Sequence, residues 1–148
     1  MSLLSFPDVN VWLALATPEH AHASFAQAWW EQEAGTIAFC RLTQLGFLRV
    51  VTTAAAMDSK PLTMAAAWHV YDRFYDDDRV TFVAEPPEVE GRFREKATGR
   101  LASPKVWVDA WLLAFAQTAG GALVTFDKAL GSRGALCLLP KGPMGTAA

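Results

Sequence analysis

Cysteine is scarce in this chain: Cys40 and Cys137 are the only two in 148 residues. They lack CxxC spacing, and each lies in an apolar, strand-like run. Buried free thiols in a reducing compartment are therefore expected, and a disulfide framework or zinc site is not. Long uncharged runs are missing as well. No stretch approaches the ~18 apolar residues of a membrane span, and the N-terminus carries Asp8 among its apolar residues with no basic segment ahead of them, unlike a secretory leader. The expected location is the cytoplasm, with no membrane partner. The glycine-rich phosphate loops GxGxxG and GxxxxGK[ST] are absent, which takes support from the common nucleotide-binding readings. There is no GxSxG elbow, and three histidines without an evident nucleophile give little basis for a hydrolase triad. Strong charge of either sign is lacking too. With 13 Lys and Arg against 15 Asp and Glu, the formal net charge is -2, so any contact with nucleic acid must rest on a local basic patch.

What is present is apolar residue in quantity, 52% against 19% charged, enough for one domain with a sizeable core. Strand-like and helix-like segments alternate. Leu3 to Asp8, Thr36 to Cys40, Val80 to Val83, Ala122 to Phe126 and Ala135 to Leu139 read as strands. Between them, helices are expected from Val9 to Ala16, from Pro18 to about Ala34, from Gln44 to Val51 with Thr43 as N-cap, and from Thr63 onward. Such alternation predicts a parallel sheet with helices on both faces, joined by right-handed crossovers. One domain is expected over residues 1–141, with 142–148 as a loose tail.

The most informative stretch is Val106 to Lys128, VWVDAWLLAFAQTAGGALVTFDK. Ser103-Pro104 supplies an N-cap and a first-turn proline, and Gly120-Gly121 ends the helix before the strand that leads to Asp127. Nearly every side chain from Val106 to Ala116 is apolar, so Asp109 needs a partner. Lys105, four residues earlier, is the structural candidate, although a Lys-before-Asp order is the poorer one for a helical pair. Asp127 and Asp8 each follow an apolar strand, at the carboxyl edge where open α/β sheets place their ligands. Carboxylates brought within ~4 Å repel by about 4 kcal/mol at an effective dielectric of about 20, so a cluster of three implies a divalent cation. All-oxygen ligands favour Mg2+ or Mn2+, which suits water activation against a phosphodiester.

Other features have plainer readings. His20 and His22 are two apart and read as solvated first-turn residues. Asp76-Asp77-Asp78 reads as a solvated helix end. Trp30 and the group Trp68, Tyr71, Phe74 and Tyr75 offer more aromatic surface than a small core absorbs, which suggests a dimer face or a partner groove. Arg92, Arg94, Lys96, Arg100 and Lys105 form a basic strip interrupted by glutamates, either a solvated helical face or a phosphate contact.

In PDVNVWLALATPEHAHASFAQAWW, CRLTQLGFLRV and VDAWLLAFAQTAGGALVTFDKAL, taken in that order over almost the whole chain, the sequence resembles the PIN-domain ribonucleases, and within them the VapC-type toxins of bacterial toxin–antitoxin pairs. The resemblance implies a three-layer α/β domain with about five parallel strands, an acidic Mg2+ or Mn2+ site, endonucleolytic cleavage of RNA, homodimers and inhibition by a cognate antitoxin. It assigns Asp8, Asp109 and Asp127 as metal-binding and catalytic acids, with Asn10 and Thr125 as supporting polar residues. Arg100, Lys105 and Lys128 are candidate phosphate contacts. The family's usual glutamate after the second strand is here Gln44, which keeps an oxygen but brings no charge. The alternative is a catalytically weak PIN-fold module that binds RNA or protein; a metal-dependent phosphatase is a more remote third reading.

Overall fold

The computed structural model describes residues 3–99 and 103–141. Five parallel strands lie in the order β3-β2-β1-β4-β5: β1 (Leu4–Pro7), β2 (Thr36–Phe39), β3 (Val80–Phe82), β4 (Ala122–Thr125) and β5 (Leu136–Cys137). Among the described residues seven helices connect them: α1 (Val9–Ala16), α2 (Ala23–Gln32), α3 (Arg41–Val51), α4 (Met64–Phe74), α5 (Val89–Lys96), α6 (Pro104–Thr118) and α7 (Lys128–Ser132). This is the expected α/β architecture, a parallel sheet between two helical layers.

The strands are apolar on both faces because both are covered. Along β2, Ile37 and Phe39 join the core with α1 to α4, whereas Ala38 and Cys40 join the one with α5 to α7. Along β4, Val124 faces the first layer and Leu123 the second. The centre of the first layer is Trp12, fully buried and stacked on Phe39 at 3.7 Å between ring centroids, with Phe74 edge-on at 4.8 Å. Close approach of α1 and α3 depends on Gly46, where a Cβ would stand 2.4 Å from a methyl of Val9. The strand order reverses between β1 and β4, which places a crevice at their carboxyl ends.

Several boundaries differ from the sequence-based expectation. Helix α2 starts at Ala23 and not at Pro18, because residues 17–23 form turns in which the His20 ring accepts the His22 N–H at 3.0 Å. Neither histidine is fully solvated: both are half-buried against Phe126, with centroid distances of 5.9 Å and 4.9 Å. Burial, reinforced by the neighbouring His22, lowers the His20 pKa. Helix α3 starts at Arg41. Thr43 is its third residue and not its cap, since its hydroxyl reaches back to the Cys40 N–H at 3.0 Å and closes a capping box. Strands β4 and β5 are shorter than expected, and Cys137 is only half-buried; Cys40 is buried, and both thiols are free. Residues 142–148, the expected tail, lie outside the described residues.

The aromatic surplus is mostly absorbed internally. Tyr71 is buried, Trp30, Phe74 and Tyr75 pack against the first core, and Trp68 remains 46% exposed. Arg79 explains Trp30: its guanidinium lies 4.7 Å from that ring, donates to the carbonyls of Trp30 and Glu33 at 2.6 Å each, and pairs with Asp77 at 2.8 Å. The end of α2 is thereby fastened to the loop before β3, and Asp77 serves that loop. Arg79→Met should destabilise the fold by about 2–3 kcal/mol in urea unfolding, the range for bonds to a charged group; a loss below about 0.5 kcal/mol would contradict the clamp. Hydrogen bonds from Arg79 hold the Asp77 carboxyl below its usual pKa. Its contribution is therefore complete above the unfolded value of about 4 and is lost as pH falls through the depressed folded value. Wild type should lose stability more steeply than Arg79→Met below about pH 4.

Candidate active site at the carboxyl edge of the sheet

Asp8 caps α1. It follows β1 in extended conformation, its backbone N–H continues the ladder to the Val124 carbonyl at 2.9 Å, and its Oδ1 accepts the Val11 N–H at 3.2 Å. Asp127 caps α7 in the same way, its Oδ1 accepting the N–H groups of Ala129 at 2.8 Å and Leu130 at 3.2 Å. Two carboxylates thus flank the crevice where the strand order reverses, each with one oxygen fixed by a helix terminus and the other turned elsewhere. Thr125 links them. Fully buried at the end of β4, its hydroxyl donates to Asp8 Oδ2 and accepts the Asp127 backbone N–H at 3.0 Å.

Asp109 reaches the same edge from the second turn of α6. Lys105 holds it, with Nζ 2.7 Å from Asp109 Oδ2 and 2.6 Å from Asp127 Oδ2. The helical pair weighed in the sequence as the structural alternative is present, but it is only half of the contact. The ammonium depresses the Asp127 pKa, while both carboxylates raise that of Lys105, Asp109 first. Among the described residues, no cation pairs with Asp8. Burial raises its pKa against the hydrogen bonds from Thr125 and the α1 backbone, and the charge on Asp109 adds to the rise.

Among the described residues, no three His, Cys, Asp or Glu side chains stand close enough to hold an ion as they are placed. Asp109 and Asp127 converge on a shared cation, and Asp8 is tied to the Asp127 backbone through Thr125. The oxygens of these carboxylates are of the hard type that Mg2+ and Mn2+ prefer, so the chemistry of the residues suits such an ion although the three are not gathered around one point.

The remaining candidates are less central. Asn10 is exposed in the first turn of α1, and Lys128 is exposed at the start of α7. Arg100 lies outside the described residues. Gln44 is buried, and its oxygen accepts from the Arg41 guanidinium, so it is taken up by a cation already. Arg41 itself was not singled out from the sequence. It opens α3 directly after β2, and its guanidinium sits 4.8 Å from the Phe82 ring centroid. The strand-end rule that found Asp8 and Asp127 applies equally to this position. Arg94 pairs with Glu90 on an exposed face of α5, which is the solvated-face reading of part of the basic strip.

A family model for the PIN domain matches residues 5–135. Ribonuclease VapC41 of Mycobacterium tuberculosis is 43% identical over 135 residues, covering 87% of this chain and 92% of that protein. Ribonuclease VapC44 of the same organism is 34% identical over 130 residues, covering 83% and 85%. Among solved structures, Mycobacterium tuberculosis VapC20, titled a Sarcin-Ricin loop cleaving toxin, superposes with a TM-score of 0.62 at 15% identity, covering 89% of this chain and 96% of that one. VapBC2 from Rickettsia felis, bound to a promoter DNA fragment, superposes with a TM-score of 0.58 at 12% identity, covering 90% and 96%. These two likenesses concern the fold. The family match and the VapC41 identity together settle membership: the chain belongs to the PIN-domain family, among its VapC-type ribonuclease toxins.

Proposed function

We propose that this VapC-type endoribonuclease hydrolyses RNA phosphodiester bonds in the crevice between the carboxyl ends of β1 and β4, with Asp8, Asp109 and Asp127 holding Mg2+ or Mn2+. The convergence of Asp109 and Asp127 on one cation carries this reading. A bound divalent ion supplies a water acidified enough to attack phosphorus and a positive charge for the phosphate oxygens. The chain's own residues prepare the place. Thr125 donates to Asp8 and so favours its ionised, ligating form against the pull of burial. The α7 terminus fixes one oxygen of Asp127 and leaves the other turned to the shared cation. Lys128, exposed beside Asp127, and Arg100 are the proposed phosphate contacts along the substrate strand, together with Lys105.

The partners follow the same line: an RNA substrate, a cognate antitoxin, and a second copy of the chain in a homodimer. No helix among the described residues is long and apolar enough to cross a membrane, and we place the protein in the cytoplasm. The groove between α3 and α4, lined by Leu45, Leu48, Met64 and Trp68, is the apolar surface proposed for protein contact. One observation favours a second reading, a binding module of low activity: Gln44 stands at the family's glutamate position, and its oxygen is engaged by Arg41.

Metal removal separates the two. Purified protein incubated with a mixed RNA substrate should cleave it with Mg2+ or Mn2+ and lose cleavage in EDTA, with recovery on adding Mn2+ in excess. Cleavage unaffected by EDTA would sink the metal reading; RNA retention with no cleavage under any metal condition would favour the binding module.

A further inference from the structure

Among the described residues, Lys105 is the cation that bridges two acids at this edge. Its ammonium contacts two carboxylates from separate parts of the fold, Asp109 in its own helix and Asp127 at the β4–α7 junction. An i,i+4 helical pair accounts for the first contact alone, and the Lys-before-Asp order makes it a weak one. The second is tertiary, and it joins α6 to the end of β4 at the point where two negative charges would otherwise face each other. The stem remains 64% exposed while the acids are 18% and 29% exposed, so the ammonium enters from solvent and can withdraw to it. A compact charge on a flexible four-carbon stem suits this; a planar guanidinium fork, which binds carboxylates in pairs of parallel bonds, would hold on more firmly.

We propose that Lys105 is a tethered counter-ion of the active site, which keeps Asp109 and Asp127 together when no divalent ion is bound and competes with that ion for the same oxygens. This rests on the reading that these aspartates are metal ligands. Occupancy by the ammonium lowers the apparent affinity for the ion by the fraction of time the oxygens are free. If Lys105 is engaged nine-tenths of the time, the apparent Kd rises about tenfold. The toxin is thereby set to load its ion only at higher free concentrations than the bare acids would require.

The test is calorimetric titration of Mn2+ into the full chain, with melting temperatures measured with and without Mn2+, for wild type, Lys105→Met, Lys105→Arg and Asp109→Asn. Methionine keeps the stem length and helix propensity and removes the charge, and the site of substitution is exposed, so folding is not at stake. Lys105→Met should bind Mn2+ about tenfold more tightly than wild type and show a larger Mn2+-induced rise in melting temperature. Lys105→Arg should bind no more tightly than wild type. Mn2+ binding by Lys105→Met that equals or falls below wild type, while Asp109→Asn weakens it, overturns the counter-ion role alone. No saturable Mn2+ binding by any of the four chains overturns that role and the metal site together.

Discussion

Asp8→Asn and Asp109→Asn should each lower RNA cleavage by more than about 100-fold, since loss of even an outer-sphere partner of a metal ligand typically costs 10- to 100-fold. Neither should unfold the protein. Asparagine caps a helix as well as aspartate does, so Val11 keeps its acceptor in Asp8→Asn. The charge on Asp8 is also disfavoured by burial, so its removal relieves a cost. In Asp109→Asn the group left behind is Lys105, whose exposed stem lets water solvate the ammonium. Cleavage assays at fixed Mn2+, paired with thermal melts, check both statements. Variants that cleave within about tenfold of wild type would remove these residues from the catalytic centre.

The largest expected effect on stability is at Trp12. Trp12→Ala should cost about 3–5 kcal/mol, the range for a fully buried aromatic, out of a total of about 5–15 kcal/mol for a domain. The reason is position: this ring stacks on Phe39, meets Phe74 and Trp30 edge-on, and so joins β2, α1, α2 and α4. Its indole N–H is buried without a hydrogen-bond partner among the described residues. Trp12→Phe removes that unpaired donor and keeps a ring, and should therefore lose clearly less than the alanine variant. Urea unfolding of both variants decides the matter; a loss below about 1.5 kcal/mol for Trp12→Ala would show that the layer repacks around the gap.

Strand placement was legible because the strands are buried on both faces and stand out as short apolar runs between turn residues. The placement of the three acids at one edge was legible for a related reason. A carboxylate directly after such a run, as at Asp8 and Asp127, or within an apolar helix, as at Asp109, conflicts with its surroundings until a partner is named. Helix starts were less so. The start of α3 depends on Thr43 turning back to Cys40, and that of α2 on a histidine ring accepting a backbone N–H; both are local side-chain choices that apolar periodicity does not encode. The second contact of Lys105 and the clamp made by Arg79 were hidden for another reason. Their partners lie 22 and 46 to 49 residues away in sequence, and spacing rules reach only one helical turn.

The central strand of the sheet is the first of the chain, and its neighbour on one side is the fourth, which sets a timetable for synthesis. A domain folds as a unit, and it cannot be completed before its last strands are synthesised. While β4 is still unmade, β1 lacks its neighbour on one side and Asp127 has not yet been synthesised, so Asp8 cannot have both acids beside it. The acidic site closes only when β4 inserts beside β1, late in translation. A chain cut short before β4 therefore lacks the edge at which the three acids meet.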